Sequence, residues 1–152
     1  MTDNVQSIYK TAREFAGLTQ ERAATVLHVS VRSLAAYESG ERIPADDVVV
    51  RMVDLYSYNQ LAVQHLRQTS ELARRVVPDL SERSVMEASI RLLNSMNKFA
   101  RKHSLDRLTE IAEDNQISQD EREDFDVILA DLRQIIQAGM ELSVHCEPRK
   151  ED

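Results

Sequence analysis

The sequence predicts an all-α chain of two helical parts, and three observations predict it. Its 152 residues include only 3 Gly and 3 Pro and no Trp, with abundant Ala, Leu, Glu and Arg, a composition that favours helix throughout. Apolar residues recur at spacings of three and four along nearly the whole length, the signature of amphipathic helices rather than strands. The few breakers and capping residues fall between those periodic runs, so they read as helix ends. The length suits one ordinary domain or a small domain with an appendage. The chain divides accordingly into 1–58, a compact helical unit, 59–145, a second helical region for assembly or interaction, and a polar tail at 146–152 expected to be disordered.

Residues 1–4 are polar and expected to fray. Val5, Ile8, Tyr9, Ala12, Phe15 and Ala16 form one helical stripe that Gly17 ends. Residues 18–40, LTQERAATVLHVSVRSLAAYESG, hold two short helices in close succession. Thr19 is positioned to cap the first, with Ala23, Ala24 and Leu27 on its inner side. His28 and Val29 leave room only for a tight turn. Ser30 caps the second helix, Leu34 and Tyr37 face inward, and Gly40 supplies the left-handed terminus. Two helices so joined form a helix-turn-helix, which leaves Val31, Arg32, Ala35, Ala36 and Ser39 facing outward. Beyond it, Pro44 excludes helix through Ile43 but suits the start of the next helix, in which Val48, Val49, Met52, Val53, Leu55 and Tyr56 close a small core.

From Asn59 a long helix to Val77 is expected on Leu61, Ala62, Leu66, Leu72, Ala73 and Val76, stopping before Pro78. Ser81, Glu82 and Ser84 offer caps for another, striped by Val85, Met86, Ile90, Leu93, Met96, Phe99 and Ala100. A short helix follows over 104–113, and Ser118 caps the last, whose stripe is Phe125, Ile128, Leu129, Leu132, Ile135, Ile136 and Met140. Each stripe needs a partner, and a bundle within one chain or helices shared between two chains would supply it.

Residues 18–40 and their flanks resemble the Xre/Cro-type helix-turn-helix of phage repressors and their bacterial relatives. The likeness rests on Leu18-Thr19-Gln20-Glu21, Ala24, Leu27, Val29-Ser30, Leu34, Tyr37-Glu38-Ser39-Gly40, Arg42 and Pro44, in register without a gap over roughly residues 5–56. It implies a five-helix, lambda-repressor-like DNA-binding domain, a transcriptional regulator of repressor type from a phage or mobile element, and duplex DNA as partner. A homodimer is expected besides, because one long reader, Arg32, and a net charge of −7 leave a single motif weak, and because the stripe from Phe125 to Met140 is wider than one neighbouring helix covers; the alternative is that this stripe is spent inside one chain against the helix over 85–100. Two residues depart from the pattern. His28 stands where the family usually has Gly, which strains the turn if that position needs a positive φ. Ala35 and Ala36 stand where polar base-contacting residues are common. The run from Ile117-Ser118 through Glu121 into the last helix is also similar to tails found behind such motifs in mobile-element regulators.

On these grounds the expected DNA-binding residues are Gln20, Ser30, Val31, Arg32, Ser33, Ala35, Ala36, Ser39 and Arg42. Arg32 is the long cation of the outward face and is suited to bidentate hydrogen bonding with guanine. Gln20, Ser30, Ser33 and Arg42 are suited to phosphates, and the two alanines to thymine methyls. The alternative for each is a solvated surface residue, or in the case of the alanines simple helix preference.

Charge tempers this picture, because 26 acidic residues outnumber 19 basic ones for a net charge of −7. Up to Tyr58 the balance is 6 basic against 8 acidic, so most of the excess acid lies beyond the motif. Binding depends on a few placed donors, not on the total. No metal site or cofactor is expected: His28, His65, His103 and His145 are scattered, and only His145 adjoins Cys146. The stretch Asp114-Asn115-Gln116-Ile117-Ser118 before Glu121 resembles half a calcium loop, but the aligned ligands include Ala112 and the glycine position holds Asn115, so a turn between helices is favoured. No phosphate loop or nucleophile with a base appears, and no enzyme is expected. One Cys and the lack of an apolar leader or span point to the cytoplasm and no membrane. The competing view is a protein-interaction module, antitoxin-like or antirepressor-like, acting through the acidic helical half.

Overall fold

The computed structural model describes residues 7–113 and 116–145 and contains, among them, nine helices and no strand. They are α1 (Ile8–Phe15), α2 (Gln20–Leu27), α3 (Val31–Glu38), α4 (Asp46–Tyr56), α5 (Gln60–Thr69), α6 (Glu71–Val76), α7 (Val85–Arg101), α8 (Ser104–Ala112) and α9 (Arg122–Ser143). Two compact units result, one running through Asp79 and the other spanning Leu80–His145. Val5, Asp114, Asn115 and Cys146, and with them part of the suggested calcium loop and the tail, lie outside the described residues.

The first unit closes over Tyr9, Ala12, Ala23, Ala24, Leu27, Leu34, Tyr37, Val48, Val49, Met52, Tyr56 and Leu61. These come from each of α1 to α5, which share one centre, although Phe15 of the α1 stripe stays exposed beside Tyr58 and α6 buries no residue. Leu61 is completely buried there, and this draws the unit past residue 58. His65, one turn further, reinforces the attachment. Its Nδ1 lies 2.8 Å from the Tyr9 hydroxyl and its Nε2 3.1 Å from Asp46 Oδ1, tying α5 to α1 and α4.

The single long helix expected over 59–77 is two. Ser70 is extended (φ −126°, ψ 122°), and its hydroxyl oxygen accepts from the Ala73 amide at 3.2 Å, so it ends α5 and caps α6. Serine competes with the helix for its own backbone in this way, which periodicity does not register. The Arg67 guanidinium spans the break by donating to the carbonyls of Arg74 and Val77.

In the second unit α7 and α9 pack along each other, and Phe99, Ile111 and Ile128 form the core with Leu108, Phe125, Leu132 and Ile135 around them. The cap of α7 is Ser84 and not Ser81, for Ser84 and Glu87 complete a reciprocal capping box. Ser118 and Glu121 exchange the same pair of bonds just before α9. The α9 stripe is closed within the chain: of its seven apolar residues only Ile136 is exposed. Its inward face also carries two buried carboxylates. Asp131 lies between Lys98 Nζ at 2.9 Å and Lys102 Nζ at 2.8 Å. Glu141 accepts from Arg91 NH1 at 2.8 Å, Arg83 Nε at 3.1 Å and the Ser81 amide at 3.3 Å. Each buried charge is thereby paired.

Candidate nucleic-acid interface

The helix pair α2–α3 is built by caps at both ends of a tight turn. The Thr19 hydroxyl accepts from the Arg22 amide at 3.3 Å, and the Ser30 hydroxyl accepts from the Ser33 amide at 3.0 Å. Between them His28 sits in the left-handed region at φ 56°, and the Val29 amide returns to the Ala24 carbonyl at 3.0 Å. The strain anticipated at this non-glycine residue is present. Gly17 and Gly40 take φ 67° and 78° at the ends of α1 and α3, where their lack of a Cβ matters.

What orients α3 is a buried ion pair that the sequence did not announce. Arg13 Nε donates to Glu38 Oε1 at 2.6 Å and its NH2 to Oε2 at 2.9 Å, while NH1 donates to the Leu18 carbonyl at 2.7 Å. One guanidinium therefore fastens α1, the α1–α2 turn and α3 in a fork geometry that only arginine provides. The Glu38 hydrogen bond, partly opposed by burial, holds Arg13 still more firmly in its charged form. Nearby, the Tyr56 hydroxyl is buried with no hydrogen-bond partner among the described residues. Burial, reinforced by the Glu38 charge, pushes it up to about 12. A pair 25 residues apart leaves no local trace, although Arg13 four residues after the buried Tyr9 stands at an inward position of its stripe.

The expected contact residues fall into distinct settings. Leu34, Tyr37 and Glu38 are buried, and Val31, Arg32 and Ser39 are exposed on the other side of α3 with Ala35 and Ala36 half-buried. Arg32 has no hydrogen-bond or ion-pair partner among the described residues. The Ser30 and Ser33 hydroxyls are exposed and lie 2.8 Å apart at the start of α3. Ser39 donates back to the Ala36 carbonyl at 3.2 Å. The Arg42 guanidinium lies over the Tyr37 ring, 5.8 Å from its centroid, which fixes an exposed cation next to the C-terminus of α3. Gln20 is differently employed: its side-chain amide donates to Glu38 Oε2 at 2.8 Å. Beside it the Glu21 carboxylate accepts from its own amide and the Thr19 hydroxyl, which holds it below the usual carboxylate range. The N-terminus of α2 thus already has an anion. Arg22, absent from the expected set, is a further exposed cation on α2.

Two short capped helices with a tight turn between them, the second braced from behind and carrying exposed polar and small residues, make a helix-turn-helix domain. The family described as a helix-turn-helix domain matches residues 10–66, and the first unit is an Xre-like domain of that kind. The HTH-type transcriptional regulator ImmR of Bacillus subtilis (strain 168) is 30% identical over 79 residues, covering 52% of this chain and 60% of that protein. The chain thus spans somewhat under two thirds of the relative's length. No solved structure gives a significant match.

Proposed function

We propose that the protein is a transcriptional regulator that binds specific sites in duplex DNA as a homodimer, with α3 in the major groove. The observation that carries this reading is Arg32: a long cation, exposed and without a partner among the described residues, on a recognition-type helix whose opposite side is fixed by Arg13 and Glu38. Arg32 contacts guanine; Ser30 and Ser33 at the α3 N-terminus and Arg42 beyond its end hold phosphates; Val31, Ala35 and Ala36 supply apolar contact to thymine methyls, and Ser39 lies at the far end of the same face. Gln20 acts at this surface through its bond to Glu38. Two copies would set their reading helices about 34 Å apart, one turn of the duplex, or a multiple of that. The activity is non-enzymatic and needs no cofactor, its setting is the cytoplasm, and its kind is repression in a phage or mobile-element context, the role that the resemblance of residues 18–40 to phage repressors implies.

Selection of bound duplexes from a random pool tests this directly. A symmetric site should emerge, and Arg32→Ala should relax preference at one guanine in each half, a loss of roughly 1–3 kcal/mol of discrimination. Arg42→Ala should instead weaken all duplexes alike. An Arg32→Ala protein that selects the unchanged site removes Arg32 from readout. A protein that enriches no duplex but retains a protein partner belongs to the antitoxin-like or antirepressor-like class.

A further inference from the structure

The α7 helix carries an apolar face that the described residues leave largely exposed. Met86, Ile90, Leu93 and Met96 are 72%, 52%, 59% and 50% exposed. With Ser89, Asn97 and Ala100 they fill an arc of about 120° at 100° per residue, and that arc holds no charged residue. The charges of α7 lie elsewhere: Glu87 belongs to the capping box, Arg91 pairs with Glu141 and Lys98 with Asp131. A solvated helix face in a chain that is 30% charged would not be so cleanly uncharged. The spacing is also that of a seam: Met86, Leu93 and Ala100 are seven apart, with Ile90 and Asn97 between them at the same interval.

We infer that this face is the seam of the homodimer, closed by α7 of a second copy running antiparallel across a two-fold axis near Leu93. The inference rests on the dimer proposed above and places its interface. Three features select a second copy. The arc is self-complementary, because apolar meets apolar without a charge on either side. Two chains of net charge −7 repel, and they approach at least cost through a surface with no acid in it. Glu87 near the start of α7 and Arg101 at its end lie on the same edge of the arc, so an antiparallel pairing sets each beside its opposite on the other copy, twice; a parallel one would face both with the uncharged opposite edge of the arc.

Sedimentation equilibrium of the full chain at micromolar concentration should give twice 17.4 kDa. Ile90→Lys with Leu93→Lys should weaken the dimer roughly 100-fold, with far-ultraviolet circular dichroism unchanged because both side chains are exposed. Oxidative cross-linking supplies a second measurement in a Cys146→Ser background. Leu93→Cys should link to its own copy, and Met86→Cys should not, since two Met86 positions would lie about 21 Å apart. A wild type that stays at 17.4 kDa, a folded double-lysine variant that still dimerises, or a self-linking Met86→Cys chain each overturns the seam. Enrichment of a specific duplex by a monomeric wild type would do so while leaving the DNA reading in place.

Discussion

Replacing Arg13 separates two accounts of how the helix-turn-helix is held. Arg13→Ala removes three hydrogen bonds from α1 and leaves the Glu38 carboxylate, whose side chain is only 3% exposed, with Gln20 as its remaining partner. An uncompensated buried charge of this kind costs about 3–5 kcal/mol. A domain of the first unit's size has a total stability on the order of 4–11 kcal/mol, so the variant should be largely unfolded or melt far lower. Arg13→Met with Glu38→Leu removes both charges and keeps comparable volume, and it should be close to neutral in stability or slightly stabilised. Urea denaturation followed by circular dichroism gives the four corners of the cycle, and a strongly favourable coupling is expected between the two sites. DNA binding separates the accounts further: the apolar pair should keep the fold yet bind less well, because the fork to the Leu18 carbonyl and the Gln20 bond no longer orient α3. A cost below about 1 kcal/mol for Arg13→Ala would refute the reasoning, since it would mean that Glu38 finds water where the structure buries it.

The strain at His28 predicts that His28→Gly stabilises the first unit. A non-glycine residue in the left-handed region costs about 1–2 kcal/mol and glycine gives back about 0.5–1 through the unfolded chain, so a rise of a few degrees in melting temperature is expected and a fall would contradict it. Alkaline pH should loosen the same unit. Tyr56 is raised from 10.0 to about 12, so its neutral form stabilises the fold fully below pH 10, and that contribution is lost as pH climbs toward 12. Up to about 3 kcal/mol is at stake. Burial shifts Tyr9 in the same direction. Tyrosinate absorbance should therefore rise together with loss of helicity, and Tyr56→Phe should shrink the loss.

The capping pattern was legible because capping is local. Thr19 and Ser30 accept from the amides three residues on, and Gly17 and Gly40 adopt the positive φ their places required. The all-α class and the helix-turn-helix were legible for the same reason. What escaped were polar residues at inward positions whose partners lie far along the chain. His65 follows Leu61 by four residues on the buried side of α5, and its partners are 56 and 19 residues away. On α9 the buried residues are Ile128, Asp131, Ala138 and Glu141, a helical row in which two members are acids. Counting only apolar letters tilts that row toward Leu129, Ile136 and Met140. The tilt makes α9 look too wide for one neighbour, when Lys98, Lys102, Arg83 and Arg91 from around α7 supply the missing partners. Acids at inward positions of α9 consume cations of α7 and its approach, and the apolar residues of α7 on the other side are left uncovered.

The same placement of charge explains how an acidic chain can meet a polyanion. Glu38 is buried and answered by Arg13, so it presents no acid beside α3. Glu141 and Asp131 are likewise enclosed by cations in the second unit. Among the described residues, the exposed cations Arg32 and Arg42 around α3 have no carboxylate paired with them, and Arg22 on α2 has none either. Counterion release follows the phosphates actually neutralised, so on the proposed reading three such groups per copy would support binding that salt weakens only gradually and that one copy alone would not make tight. Doubling the unit through an uncharged α7 face would double those contacts without bringing the two acidic surfaces together. Affinity, in that arrangement, would be set by how firmly the Arg13–Glu38 fork holds Arg32 in register with the groove in each of the two copies.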